Sequence, residues 1–530
     1  MATTILEQAK IESSSSSEYV NEPLRLNVEV KDTDLSSESS RDHLPASLPR
    51  WKVITTIGAV CLMSLLSTTL SGILAVALPK IGADIGLDEG LLLWPASVYS
   101  LASGATLLFF GSLADVVGAK RNYIVGSFFS AVWILACGLS RTGIQLIVFR
   151  AIHGTSIAMC LPSSVSILTA NFPPGKLRNV AFACLGAAQP MGFLVGLIIG
   201  GILTDLVSWR LGFYIVAGIN AFVFVVSLLC VPNDAPRTGS ILQRFREQVD
   251  WVGVLLISAA LGILSYVLAS ITIDLTSIHS PADITLLVIS ILLFPCFYTW
   301  VRRQEKLGRP ALIPNSLWRN SSFVSVNALC FLGWATVTAN QYFLALFFEE
   351  VQLQSAFATS LRFLPLVASG VLANVAVGLL VRQVHANYIV AGAVILSAVT
   401  PLLMALANPD LTYWAMAFPA TFLSPIAADI VLVVANLSIT TIFPSEAHGL
   451  AGGVTNTVAQ LGTTFGLNLT AILATAVTQG SHFADKQSPA ALLVGYRASF
   501  WASFGATALM LIIVAFGMRK IGKVGSKKTN

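Results

Sequence analysis

The sequence predicts an all-α membrane protein with fourteen transmembrane helices. Three observations lead there: an apolar composition, fourteen helix-length apolar runs, and short polar connections between them. Of 530 residues, 55% are hydrophobic and only 11% charged, and the mean hydropathy is +0.78. A soluble domain carries roughly 25% charged residues, and a water-facing surface needs polar cover that this chain lacks. Lipid is therefore the expected solvent for most of it. The formal net charge of +5 is small, and the basic residues lie scattered between apolar runs. Nucleic acid is thus not an expected partner.

A helix needs roughly 20 apolar residues to cross the hydrocarbon core. Fourteen runs qualify: 53–78, 90–110, 123–139, 144–169, 180–203, 211–231, 251–271, 284–300, 323–348, 360–380, 388–407, 413–434, 450–477 and 498–516. Short connections place sequence neighbours antiparallel. An even count puts both termini on one side, and Lys/Arg placement chooses the side. With the termini inside, the inner loops hold Lys120, Arg121, Lys176, Arg178, Arg237, Arg244, Arg246, Arg302, Arg303, Lys306, Arg309, Arg319 and Arg382. The outer loops and helix ends hold only Lys80, Arg141, Arg210, Arg362, Lys486 and Arg497. Cytoplasmic termini follow as the expectation.

Residues 1–50 contain SSSSS and SSESS with mixed charge and no apolar run, so they are expected to remain a disordered tail. No cleavable signal peptide is expected. Cys61, Cys137, Cys160, Cys184, Cys230, Cys296 and Cys330 sit in or beside apolar runs without metal-ligand spacing. They read as small hydrophobes rather than a disulfide framework. The Asn-x-Ser/Thr matches at Asn320, Asn436 and Asn468 fall on the inner side or within helices, where glycosylation has no access. No Walker loop, metal constellation, cofactor loop or catalytic triad is present in the sequence. No cofactor and no enzymatic activity are expected, and any pumping would draw on an ion gradient.

The stretch between spans 2 and 3 reads GSLADVVGAKR, Gly111 to Arg121. It reads as a tight turn in which Gly111 and Gly118 permit close backbone approach. Asp115 is placed to cap a helix start or face a positive helix end, and Lys120 and Arg121 hold the turn in the cytosol. The string resembles the loop signature of the major facilitator superfamily, Gly-x-Leu-Ala-Asp-Arg-x-Gly-Arg-Lys/Arg, with Val116 and Ala119 departing from its basic positions. Span 4 carries LIVFRAIHGTSIAM, residues 146–159, similar to that family's Arg-x-x-Gln-Gly motif with His153 in place of Gln. Span 5 carries GAAQPMGFLVGLIIGG, residues 186–201, similar to the antiporter motif Gly-x-x-x-Gly-Pro-x-x-Gly-Gly. There Leu197 replaces Pro, and Pro190 upstream is a second source of a kink. DLVSWRLGFYI, residues 205–215, and the region of spans 12 and 13 resemble fungal members of the fourteen-helix drug:proton antiporters.

The resemblance covers roughly residues 51–520 and implies two six-helix halves, 51–232 and 311–518. Between them would lie a linker with an inserted helix pair (233–310), and a short cytoplasmic tail (519–530) would follow. It implies proton-coupled efflux of a drug, toxin or secondary metabolite by alternating access, with the plasma membrane as location and the vacuolar membrane as second choice. A monomer is expected. An importer or facilitator on the same fold, or a transporter-like sensor, is the competing reading. Gly111, Asp115, Gly118, Lys120 and Arg121 would form the conformational gate.

Two charges lie well inside spans, Arg150 and Asp429. Intramembrane charges are costly and usually retained for function. Arg150 and His153 are three residues apart and share a helix face. With Asp429 they are the candidates for proton coupling. The alternatives are an Arg150 that snorkels to the headgroups, a packing histidine, and a structural acid. Gly192, Gly196, Gly200 and Gly201 are either helix packing or antiport machinery. Asn456, Gln460, Thr464 and Asn468 wind slowly around span 13, facing either a wet cavity or a partner helix. Gln189, Trp94, Asn340, Gln341 and Asn374 complete the cavity candidates for a small-molecule substrate.

Overall fold

The computed structural model describes residues 49–519 except 88–90, 173–175, 235–243, 246–248, 274, 310, 382 and 443–447. Arg382 and the N-terminal tail lie outside the described residues, as do most of the linker and the last residues of the chain. Among the described residues, 14 helices are long and apolar enough to cross a membrane. They are α1 (Arg50–Ile85), α2 (Trp94–Val117), α3 (Ala119–Leu139), α4 (Gly143–Asn171), α5 (Lys176–Leu206), α6 (Trp209–Cys230), α7 (Trp251–Ile273) and α8 (Pro281–Lys306). The rest are α9 (Ser321–Leu346), α10 (Ala356–Leu380), α11 (Ala386–Ala405), α12 (Ala417–Leu423 and Ile426–Ile442), α13 (His448–Gln479) and α14 (Pro489–Gly517). A π turn, Phe347–Val351, extends α9. The face where α1 begins and α14 ends is here the terminal face, and the opposite one the far face.

Several helices begin where a side chain satisfies amides of the first turn. Thr142 accepts from the Gln145 amide, Ser208 from Arg210, Ser355 from Ala358 and Ser488 from Ala491. Asn320, one of the Asn-x-Ser/Thr matches, accepts from Ser322 and Phe323 and caps α9. At the far face the Trp209-Arg210 pair ties three helices together. The Trp209 indole donates to Asp84 at 3.0 Å, Arg210 ion-pairs with Asp84, and Arg210 Nη2 reaches the Ser140 carbonyl at 3.3 Å.

The first half packs α1 against α5 through glycines. A Cβ on Gly192 or Gly196 would strike the Leu65 or Thr69 carbonyl, and one on Gly200 would meet Ile73 Cα at 2.7 Å. Such spacing lets two backbones approach closely, which is the main attraction between helices in lipid. Gly201 differs, facing the Ala356 carbonyl and Ser360 of α10 in the other half. α5 runs unbroken through Pro190. The expected result of Gly196→Ala is a loss of about 1–3 kcal/mol by overpacking, read as a lower melting temperature in detergent. Gly111→Ala should leave it unchanged, because the added methyl meets only Pro162 Cβ at 3.8 Å.

In the second half, Gly462 and Gly466 seat α13 on the Phe331 carbonyl and on Ala335 of α9. The inserted α7–α8 pair is joined by Ser290 Oγ donating to the Ala260 carbonyl (2.8 Å) and Ser270 Oγ to Asp283 (3.0 Å). Asp250 anchors its base, accepting from the Gly253 amide (2.9 Å), the Trp300 indole (2.8 Å) and the Leu312 amide (3.3 Å). Ser258 Oγ donates to the Ala105 carbonyl of α2 at 2.7 Å and ties the pair to the first half.

The cores show where the halves meet. Toward the far face one continuous core joins Leu70, Ile73 and Val76 of α1 with Tyr342 and Phe343 of α9, Leu467 of α13 and Phe500 of α14. Toward the terminal face, Val326, Val377, Val390, Val434 and Met510 form a separate core within the second half. A third cluster links α2 and α13 through Val116, Val254 of α7 and Val454.

Candidate functional site

Arg150 enters α4 about two turns beyond the Thr142 cap and is 1% exposed. It does not snorkel outward. Its Nε donates to the Pro95 carbonyl at 3.0 Å, and its guanidinium lies over the Tyr99 ring at 4.4 Å. Nη1 faces His153 Nδ1 at 3.3 Å, and the His153 ring stacks on Tyr99 at 5.2 Å. Guanidinium nitrogens can only donate, so Nδ1 must accept. The ring proton then sits on Nε2 and points at Ser130 Oγ, 3.2 Å away. Asn220 Nδ2 donates to the same oxygen at 2.8 Å. Helices 2, 3, 4 and 6 thus meet in one buried polar chain. A protonated His153 would set a second cation against Arg150. Ser130, Asn220 and Tyr99 were not readable as members, because contacts separated by up to 90 residues leave no periodic trace.

Asp429 occupies the first turn after a break in α12, at Ser424-Pro425. The sequence places it nearer the cytoplasmic end of a span 413–434. Instead the helix continues to Ile442, so Asp429 sits close to the middle of the span. Ser397 of α11 bridges the break, its Oγ accepting from the Ala427 amide (2.8 Å) and donating to the Leu423 carbonyl (3.0 Å). Broken helices at membrane depth are tolerated where other groups satisfy the freed backbone. Gly370 of α10 lies opposite, and a Cβ there would meet Asp429 Oδ2 at 3.0 Å. No described side chain hydrogen-bonds or ion-pairs with the Asp429 carboxylate. The Pro425 signal was present in the sequence, but the Ser397 bridge needed the fold.

The gate segment differs from the sequence reading. Residues 111–117 are the last turns of α2, and the connection to α3 is Gly118 alone, at φ 117°. The α2 periodicity simply continues to Val117, so Gly111 makes no close approach while Gly118 does. The helix cap is not Asp115 but Asp234, beyond α6. Both its oxygens accept from the Lys120 amide, at 3.1 and 3.2 Å. Lys120 Nζ also donates to Asn233 at 2.9 Å. Asp115 and Arg121 are exposed. Asp234→Ala should cost about 1 kcal/mol, the usual value of a lost cap, and raise hydrogen exchange at residues 119–122.

The cavity candidates divide. Gln460 lies where α2 crosses α13, its Cβ 3.2 Å from a Cβ built on Gly104. Asn456 is exposed and bonds only its own helix, at the Gly452 carbonyl. Thr464 and Asn468 are buried, on the side of α13 turned away from the Gly462 and Gly466 face that holds α9. Asn374 is half-buried and donates to the Gly370 carbonyl at 2.8 Å. Asn340 is buried with an unpartnered Oδ1, and Trp94 has a buried indole N–H with no partner. Gln189 and Gln341 are half-buried. Among the described residues, two charged centres within the spans stand out, one in each half.

The family model described as Major Facilitator Superfamily matches residues 60–467. The chain belongs to the major facilitator superfamily. Among relatives in this superfamily, "MFS-type transporter 1" of Pyricularia oryzae is 43% identical, covering 89% of this chain and 84% of the relative. "Low affinity ammonium transporter" of Saccharomyces cerevisiae is 27% identical over 95% and 96%. "Efflux pump terJ" of Aspergillus terreus is 24% identical over 87% of each. Among solved structures, a peptide transporter POT in complex with sulfate superposes with a TM-score of 0.62 at 16% identity, covering 89% and 96%. That likeness supports the superfamily fold of two six-helix halves.

Proposed function

We propose that this transporter exports a small organic molecule against its gradient, driven by protons, with Asp429 as the proton carrier and Arg150 as the fixed cation of the first half. The observation that carries the reading is the unpartnered Asp429 carboxylate at a helix break near the middle of its span. Transporters of this kind place coupling groups at discontinuous helices close to the bilayer centre. His153, held between Arg150 and Ser130, acts as a positioning residue that aims the guanidinium. The names of relatives such as the terJ efflux pump support the export direction. The excess of Lys and Arg at the terminal face supports cytoplasmic termini. We place the protein as a monomer in the plasma membrane.

The relative named as an ammonium transporter aligns over nearly the whole chain and favours import of a small cation as the second reading. Cells lacking the transporter discriminate the two. Export predicts higher internal levels of a toxic compound found in a growth screen, and a vesicle gradient that collapses with a protonophore. Lower internal levels on deletion would establish import instead.

A further inference from the structure

The far-face seam holds a second set of ionisable groups that the site above does not use. Asp205, at the end of α5 in the first half, accepts from the Phe357 amide at 2.8 Å. That amide belongs to the first turn of α10 in the second half, where N–H groups have no partner within their own helix. Asp205 therefore caps a helix across the boundary between halves. Gly201, one turn earlier, brings the backbones close enough for this. Beside the cap, α9 ends in its π turn, a form common at functional sites. The turn carries Glu349 and Glu350.

Each acid at this seam meets a different fate. Asp205 has the α10 amide. Glu350 accepts from the Tyr496 hydroxyl of α14. Glu349 Oε1 is shielded from solvent and has no hydrogen-bond partner, and the fully buried Thr359 hydroxyl of α10 is likewise unpaired. Asp205 and Glu350 both repel a charge on Glu349. The cations of the surrounding elements are engaged elsewhere. Arg362 of α10 donates to Gln352 at 2.7 Å and lies over Phe348, while Arg497 of α14 donates to the Ala407 carbonyl. Tyr413, from the loop before α12, donates to the Arg362 carbonyl, and Lys80 of α1 to the Thr204 carbonyl. No described cation ion-pairs with Glu349.

We propose that the Asp205–α10 cap is the latch closing the far face, and that Glu349 takes up a proton from the far side each time the latch shuts. An ionised carboxylate with one oxygen shielded from water and without a partner, beside two other acids, is unfavourable. A neutral acid can donate its proton to a group such as Thr359 and removes the repulsion. Opening the seam breaks the Phe357 bond and wets Glu349, which releases the need for the proton. The closed state thus binds one more proton than the open one, so closure is favoured at low pH and lost as pH rises. This adds a proton-linked gate to the proposed carrier and holds for either direction of substrate flux.

Hydrogen exchange of the full chain in lipid nanodiscs tests it with no substrate present. After correction for intrinsic rates, amides 356–361 should be protected in mildly acidic buffer and lose protection in mildly alkaline buffer. Glu349→Gln should stay protected in both, and Asp205→Ala in neither. Equal protection of the wild type at both pH values would overturn the gate even if no variant folds. So would a Glu349→Gln profile that follows the wild type, or an Asp205→Ala chain that remains protected. Because transport is not read, failure here leaves the export reading standing, and failure of export leaves this result intact.

Discussion

Asp429→Asn is expected to abolish uphill transport while leaving downhill exchange in place. A proton crossing 100 mV contributes about 2.3 kcal/mol, which corresponds to roughly a 50-fold concentration ratio at 1.4 kcal/mol per decade. Asparagine keeps the size and polarity of the side chain but cannot exchange a proton. In vesicles with an imposed proton gradient, the substrate ratio should fall from that order toward unity. Counterflow of labelled against unlabelled substrate should continue, because it needs only alternating access. The helix break should survive, since Ser397 rather than Asp429 satisfies the Ala427 amide and the Leu423 carbonyl. Unchanged uphill transport by Asp429→Asn would remove this residue from the coupling step and leave it a structural acid.

Arg150 carries the second large effect, and here two substitutions separate charge from geometry. Arg150→Ala strands the Pro95 carbonyl and opens a cavity beneath Tyr99. Losing a buried hydrogen bond from a charged group costs about 1.5–3 kcal/mol, and the vacated volume adds to it. The melting temperature should drop markedly and transport should vanish with it. Arg150→Lys keeps the cation but has no planar fork to reach Pro95 and His153 together. That variant should lose less stability than Arg150→Ala and still lose most transport. His153→Gln, which can still accept from Arg150 and donate to Ser130, should recover more activity than His153→Leu. Equal loss in both histidine variants would argue against a positioning role.

The two centres were unequally legible. An arginine inside an apolar run is visible without any fold, because few residues there are charged at all. Its partners were not visible. Pro95, Tyr99, Ser130 and Asn220 are ordinary residues until four helices converge on them. The glycine stripe was legible as a close approach, but its split was not. Gly192, Gly196 and Gly200 serve the first half internally, whereas Gly201 faces the second. Asp234 and Asp205 carried no signal in the sequence, since each acts on an amide more than a hundred residues away.

Composition and apolar run length alone determined the membrane-embedded, fourteen-helix architecture, because the cost of burying a polar backbone in hydrocarbon is local and leaves helices as the available spanning form for such runs. The short motifs were equally local and named the superfamily. Which acid caps which helix, where the two halves meet, and which carboxylates stand without a partner were decided by the tertiary structure. Those properties depend on side chains brought together from distant spans, and lipid-facing and partner-facing positions look alike in a sequence where both are apolar.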